Sequence, residues 1–250
     1  MKKLSSVIGI VVVGLTSTAF ASLNYTQNFD SIGTLGTAFP AGWSEMYLEG
    51  SGSVSTPPTG ADMLLALEGA TSLVIWNQPE GATSFFVQAA NAGATAASAN
   101  RLLGTSPTSV RGEILQLSLV NDSGGPLSTI HLSYDMQVMA LGTHKDGFPI
   151  ADELPGYSFY FLDGSTWTPF TGLDLSNEAL NSVGHAEAEF SFTSPVPNGG
   201  TMMFRWFDDN SDNYSPDSVI AIDNVVVTPE PSALSLLALG GLGMLLRRKR

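Results

Sequence analysis

Ile130-His131-Leu132-Ser133-Tyr134-Asp135-Met136-Gln137-Val138-Met139 alternates apolar and polar side chains. Successive side chains of an extended strand point to opposite faces, so Ile130, Leu132, Tyr134, Met136 and Val138 share one face. The polar set and Met139 take the other. Shorter runs of similar character flank this strand at 73–76, 85–88, 114–120, 157–162, 188–192, 202–207 and 219–227. Turn chemistry separates them: Asn121-Asp122-Ser123-Gly124-Gly125-Pro126, Asp163-Gly164, and Pro195 to Gly200. No stretch carries a long 3.6-residue apolar period, and the Ala-rich segment 89–99 lacks an apolar stripe and reads as a loop. The pattern predicts an all-β fold, one antiparallel, jelly-roll-like β-sandwich over residues 22–228.

Both ends differ from this middle. Lys2 and Lys3 precede an apolar run that includes Val11, Val12 and Val13, and Ala19-Phe20-Ala21 places small residues before Ser22. That order is a secretory signal peptide over residues 1–21, cut by signal peptidase between Ala21 and Ser22. At the other end, Pro229-Glu230-Pro231 is followed by fifteen uncharged residues, 232–246, and then Arg247-Arg248-Lys249-Arg250. At ~1.5 Å per residue the apolar segment makes a helix of roughly 22 Å, short for a ~30 Å hydrocarbon core. The basic cluster stays cytoplasmic by the positive-inside bias.

This order at the C-terminus resembles the PEP-CTERM sorting signal. The resemblance implies processing by the membrane protease-transpeptidase exosortase, with a sorting tail over 229–250 whose short transmembrane helix is 232–246. It also implies export to the surface or exterior of a Gram-negative type envelope, commonly in an exopolysaccharide or biofilm setting.

Charge agrees with that topology. Six of the ten Lys and Arg lie in the terminal segments, leaving residues 22–228 with four cations against twenty-two carboxylates. A surface this acidic repels nucleic acid and anionic lipid, and favours cations or neutral polymers. The chain has no cysteine, which excludes thiol nucleophiles and thiolate metal sites.

Asn28-Phe29-Asp30, Pro40-Ala41-Gly42-Trp43, Asn100-Arg101-Leu102-Leu103-Gly104, Arg205-Trp206-Phe207-Asp208-Asp209-Asn210 and Ala221-Ile222-Asp223-Asn224-Val225 carry a second resemblance. Together they look like the jelly-roll modules, concanavalin-like or carbohydrate-binding, of secreted bacterial proteins. In such modules an acidic residue of the first strand and one of the last often share a structural calcium. Asp30 and Asp223 match those positions, so the resemblance implies Ca²⁺ there.

The residues of the last run give their own argument. Asp223 interrupts a strand apolar on both faces, and an unpaired carboxylate there costs several kcal/mol. It needs a cation, an arginine such as Arg205, or hydrogen-bond donors. Asp208, Asn210 and Asp212 have the one-three-five spacing of a calcium loop, but Asn213 and Val219 stand where an EF-hand needs Gly and Glu. What is left is an acidic turn or a different oxygen site.

Two function classes remain open. Trp43 and Trp167 each follow a turn, and exposed they would stack on sugar rings, which suits a non-catalytic glycan-associated or structural module. The alternative is a secreted polysaccharide-active enzyme, hydrolase or lyase, using acidic residues. Glu187 and Glu189 share a strand face about 7 Å apart, near glycosidase spacing, although such carboxylates usually come from different strands. The histidines form no metal-ligand spacing, and neither a G-x-S-x-G elbow nor a P-loop is present. N-terminal sequencing of the exported product is expected to begin at Ser22; a first residue inside 1–21 would contradict the signal assignment.

Overall fold

The alternation at 130–139 lies in a longer strand, Leu127–Ala140, in which Ile130, Leu132, Tyr134, Met136 and Val138 are all fully buried. The structure, a computed structural model, describes residues 23–50, 57–78, 81, 83, 85, 87–142, 156–176, 179–210 and 216–229. The expected signal segment with Ala19, Ala21 and Ser22 lies outside these residues, as do Asp212 and the tail from Glu230 through Pro231 to Arg247, Arg248, Lys249 and Arg250.

The strands in chain order are β1 (Tyr25–Gln27), β2 (Trp43–Leu48), β3 (Leu67–Glu68), β4 (Val74–Asn77), β5 (Ala90–Gly93), β6 (Leu102–Thr105) and β7 (Gly112–Val120). They continue as β8 (Leu127–Ala140), β9 (Gly156–Asp163), β10 (Thr166–Pro169), β11 (Leu175–Ser176), β12 (Val183–Val196), β13 (Thr201–Asp209) and β14 (Val219–Pro229). Two sheets form. One runs β12-β8-β14-β6-β5-β4 with β1 also on β14, and the other runs β10-β9-β13-β7-β2-β3 with β11 also on β9. Every pairing is antiparallel except β4 with β5. The result is an all-β, two-sheet sandwich.

The inner faces meet in one core. Leu115, Leu117, Phe159, Phe204 and Trp206 of one sheet pack against Leu132, Tyr134, Met136, Ile220 and Ile222 of the other. Trp206, in phase with Met202 and Phe204, is its hub. It stacks on Trp43 with centroids 5.3 Å apart, and it meets Tyr134 and Phe159 edge-on at 5.8 and 5.3 Å. Such edge and offset contacts add to simple area burial.

Two readings of the sequence change. The run at 85–88 is not a strand: Val87 sits at φ 42°, which breaks extension. The Ala-rich segment read as a loop contains β5, whose four residues are all buried. Small side chains are required there, because a Cβ on Gly93 would collide with the Arg101 guanidinium.

Register fixes the two ends of the sandwich. At one end Tyr25 lies opposite Val227 and Pro229 opposite Ile130, so the chain enters and leaves side by side. The turn after Val120 also closes this end, with Asn121 donating to the Val196 carbonyl at 2.8 Å. So does the tight β9–β10 hairpin, whose first loop residue, Gly164, takes φ 64°. At the other end Ala140 pairs with Val219, and the Thr105 hydroxyl bridges the sheets to Tyr157 at 2.8 Å and Asp208 at 2.5 Å. Truncating the hub, Trp206→Ala, is expected to lower unfolding free energy by about 3–5 kcal/mol in urea titration; a change within experimental error would contradict the packing described.

Candidate functional site

Asp223 sits at a bulge in β14, where the register against β8 slips between Asp223 and Val226. Asn224 adopts φ 50°, a conformation asparagine tolerates better than most residues. That turn lets the Asn224 N–H donate to Asp223 Oδ1 at 2.7 Å, while its side-chain amide donates to Asp135 Oδ2 at 2.8 Å. Asp30 opens a short 3-10 turn after Phe29, whose own φ of 58° drives its ring into the core, edge-on to Trp43. Asp30 Oδ1 accepts from the Arg101 N–H at 2.9 Å and Oδ2 from Asn28 Nδ2 at 2.8 Å.

The fold brings the two aspartates expected from the sequence into one electrostatic neighbourhood. Asp223 is only 7% exposed. Burial pushes its carboxyl up to about 6, and the negative charges of Asp30 and Asp135 push the same way. The Asn224 N–H and the Asn100 side chain offset part of this. All groups acting on Asp223 are therefore like charges or neutral donors. The Asp30 and Asp223 carboxylates offer oxygen, the chemistry that suits a hard cation such as Ca²⁺. Among the described residues no group of three or more His, Cys, Asp or Glu is arranged to hold a metal, so amide and main-chain oxygens would have to complete any shell.

The alternative arginine partner is excluded. Arg205 lies in β13, on the other sheet, and donates to Gln116 Oε1, the Met63 carbonyl and Met46 Sδ. Its guanidinium sits 4.0 Å above the Trp167 ring. Trp167 is thereby covered, at 4% exposed, and Trp43 is 5% exposed within the core. Neither offers a face to a sugar. The turns before them suggested exposure, but both rings fold back onto their own sheet.

Asp208 and Asn210 also differ from expectation. Asp208 is inside β13 rather than in a loop, buried, and accepts the Thr105 hydroxyl. Asn210 is buried and donates to the Val110 carbonyl at 2.8 Å. Their short polar side chains serve the backbone and the sheet-to-sheet bridge. Glu187 is on an exposed strand face, bonded to His131 at 2.8 Å, and His185 in β12 is 2.6 Å from Asp135.

A carboxylate pair absent from the sequence reading lies inside the end opposite the chain termini. Glu45 of β2 and Glu113 of β7 are 3% and 0% exposed. Glu113 accepts from the Gln88 and Ser106 N–H groups at 3.1 and 2.9 Å, and Glu45 Oε2 from the Ala89 N–H at 2.8 Å. They satisfy backbone donors where the left-handed Val87 interrupts the chain. Burial raises both carboxyls, Glu45 to about 9 with the charge of Glu113 adding to it. The period-two pattern Trp43, Glu45, Tyr47 was the available signal, hidden because β2 is not apolar enough to read as a strand.

At the same end a shallow cleft of about 210 Å³ opens between β9, β11 and the end of β13. Ser158, Asp174, Ser176 and Asp209 give it a hydroxyl and carboxylate lining over Tyr157 and Phe207. Among the described residues no helix is long and apolar enough to cross a membrane.

Residues 227–250 match the model of the PEP-CTERM protein-sorting motif. No curated protein matches the chain. Among solved structures, the C-terminal family 22 carbohydrate-binding module of Xyn10B from Clostridium thermocellum is 12% identical, with 87% of this chain and 98% of that one covered and a TM-score of 0.44. The CBM22-1 xylan-binding domain of Xyn10C from Paenibacillus barcinonensis gives 10%, 86%, 98% and 0.41. A cyclase from Fischerella sp. TAU gives 17%, 78%, 87% and 0.41. The sandwich is established by its own strand pairings, independently of these likenesses.

The buried pair makes a pH prediction. Glu45 has a folded value of about 9 against an ordinary 4.5, so the folded state holds its proton more tightly than the unfolded chain. Its contribution is complete below about 4.5 and is lost as pH rises toward 9. Melting temperature should fall across that window, and Glu45→Gln should flatten the fall. An unchanged slope in the variant would contradict the assignment.

Proposed function

We propose that this chain is an exported envelope protein, processed by exosortase through its C-terminal motif, whose sandwich is a non-catalytic surface or matrix module associated with extracellular polysaccharide. The observation that carries the address is the sorting motif at residues 227–250. The proposed division is a signal peptide over 1–21, the sandwich over 22–228 and a sorting tail over 229–250. Four cations against twenty-two carboxylates in the middle segment favour a neutral polymer or cations over nucleic acid or anionic lipid. Hydroxyl and carboxylate groups in the distal cleft are of the kind that bind sugar hydroxyls.

Ca²⁺ between Asp30 and Asp223 is proposed as a structural ion. What supports it is a nearly buried carboxylate whose charged neighbours, Asp30 and Asp135, are both negative. A cation there would relieve the repulsion and tie the turn after β1 to the bulge of β14.

Two experiments follow. At about one hundred times its dissociation constant, bound Ca²⁺ adds about 2.7 kcal/mol of stability. For a domain of this size that is a rise of roughly 5–11 °C in melting temperature. Asp223→Asn should abolish most of the rise; no shift with wild-type protein at millimolar Ca²⁺ rejects the ion. For the ligand, a glycan array should give saturable binding without reducing-sugar release. Release of sugar that disappears when Asp174 and Asp209 are replaced by Asn would favour the enzyme instead.

A further inference from the structure

Val227, the first residue of the sorting motif, is still inside β14, paired with Tyr25 on one side and Leu132 on the other. Pro229, the first residue of Pro-Glu-Pro, is opposite Ile130. No linker separates the sheet from the motif. A flexible connection would let the domain wander by ~5–6 Å times the square root of its length; a paired strand allows none of this. Incoming chain leaves by the same end, since β1 begins at Tyr25.

This exit end is also poor in charge. Its turns, 121–126, 164–165 and 193–200, contain one carboxylate, Asp122, and Asp163 stands beside them. Asp163 is taken up by the Thr193 N–H, at 3.0 and 3.1 Å to its two oxygens. At the opposite end Asp174 and Asp209 line the cleft, while Glu45, Glu113 and Asp208 are buried. From Ile130 to Ala140 the β8 strand separates the two ends by roughly 33 Å. The strand that runs into the sorting motif leaves from the exit end, so that end is the one held nearest the bilayer.

We infer that the sandwich stands end-on to the membrane holding its tail, exit end inward, so that the cleft lined by Ser158, Asp174, Ser176 and Asp209 faces outward. The inference rests on the sorting reading above and adds an orientation to it. The bilayer surface is the partner of the exit end; the cleft end is left free for extracellular ligand.

The absence of cysteine makes the test direct, because each introduced thiol is the only one. Full-length chains carrying Ser176→Cys at the cleft, or Ser165→Cys or Asp122→Cys at the exit end, are expressed in a Gram-negative host lacking exosortase. Spheroplasts are treated with a small impermeant maleimide and with a bulky polyethylene-glycol maleimide, before and after detergent solubilisation. All three positions should take the small reagent. The bulky reagent should label Ser176→Cys equally in both states but label the exit positions several-fold more slowly until detergent is added. Equal bulky labelling at both ends of a chain that sediments with membranes overturns the orientation alone. A chain that stays soluble with its tail intact overturns the sorting reading, and the orientation with it.

Discussion

The last strand is the constraint on which the structure depends. Val219 through Ile222 are fully buried, as are Val225 and Val227, so β14 is covered on both faces over most of its length. It hydrogen-bonds to β8 along one edge, and to β6 and then β1 along the other. A strand with apolar side chains on both faces and partners on both edges has no solvent to fall back on, and any polar group in it must be answered locally. Asp223 is answered by the bulge: Asn224 turns into the left-handed region and returns its own N–H to the carboxylate. The extra residue that breaks the ladder is what makes the carboxylate tolerable.

The sandwich therefore carries its polar interior in two places with different physics. Near the first and last strands, carboxylates face one another with no cation among the groups that act on Asp223, and an ion would lower the energy of that arrangement. At the distal end, Glu45 and Glu113 are held by the backbone N–H groups of Gln88, Ala89 and Ser106. Glu45 Oε1 has no hydrogen-bond partner, which makes the protonated acid the cheaper form there. A cation would relieve the first arrangement, and a proton relieves the second.

The sequence made the long, strongly alternating strands plain. The segments around 114–120, 130–139, 157–162, 202–207 and 219–227 all lie in strands of the core, because period-two burial leaves a direct imprint on residue choice. The short strands were not legible. β5, with Ala, Asn, Ala and Gly, ends in a glycine that leaves room for the Arg101 guanidinium, a packing requirement that no apolar period announces. Of the site, Asp30 and Asp223 were linked only by the resemblance to jelly-roll modules, and Asp30 lies in the 3-10 turn after β1 rather than in the strand itself. Glu45 was not legible, since its environment is made by β7 and by the turn at 87–89. Trp43 and Trp167 misled for a related reason: a turn before a tryptophan says where the chain bends, whereas the stack on Trp206 and the Arg205 guanidinium decide where the ring goes.

Fold and address meet in β14, so the continuity of that strand into the sorting motif is the claim to measure. Native-state amide hydrogen exchange on the full-length protein reads it residue by residue. Protection at Val225, Val227 and Thr228 should match that of Ile220 and Ile222 and rise and fall with global stability. Exchange at the rate of an unstructured peptide from Val225 onward, beside a protected Ile220, would mean that the strand ends early, a linker precedes the motif, and the account given for β14 is wrong.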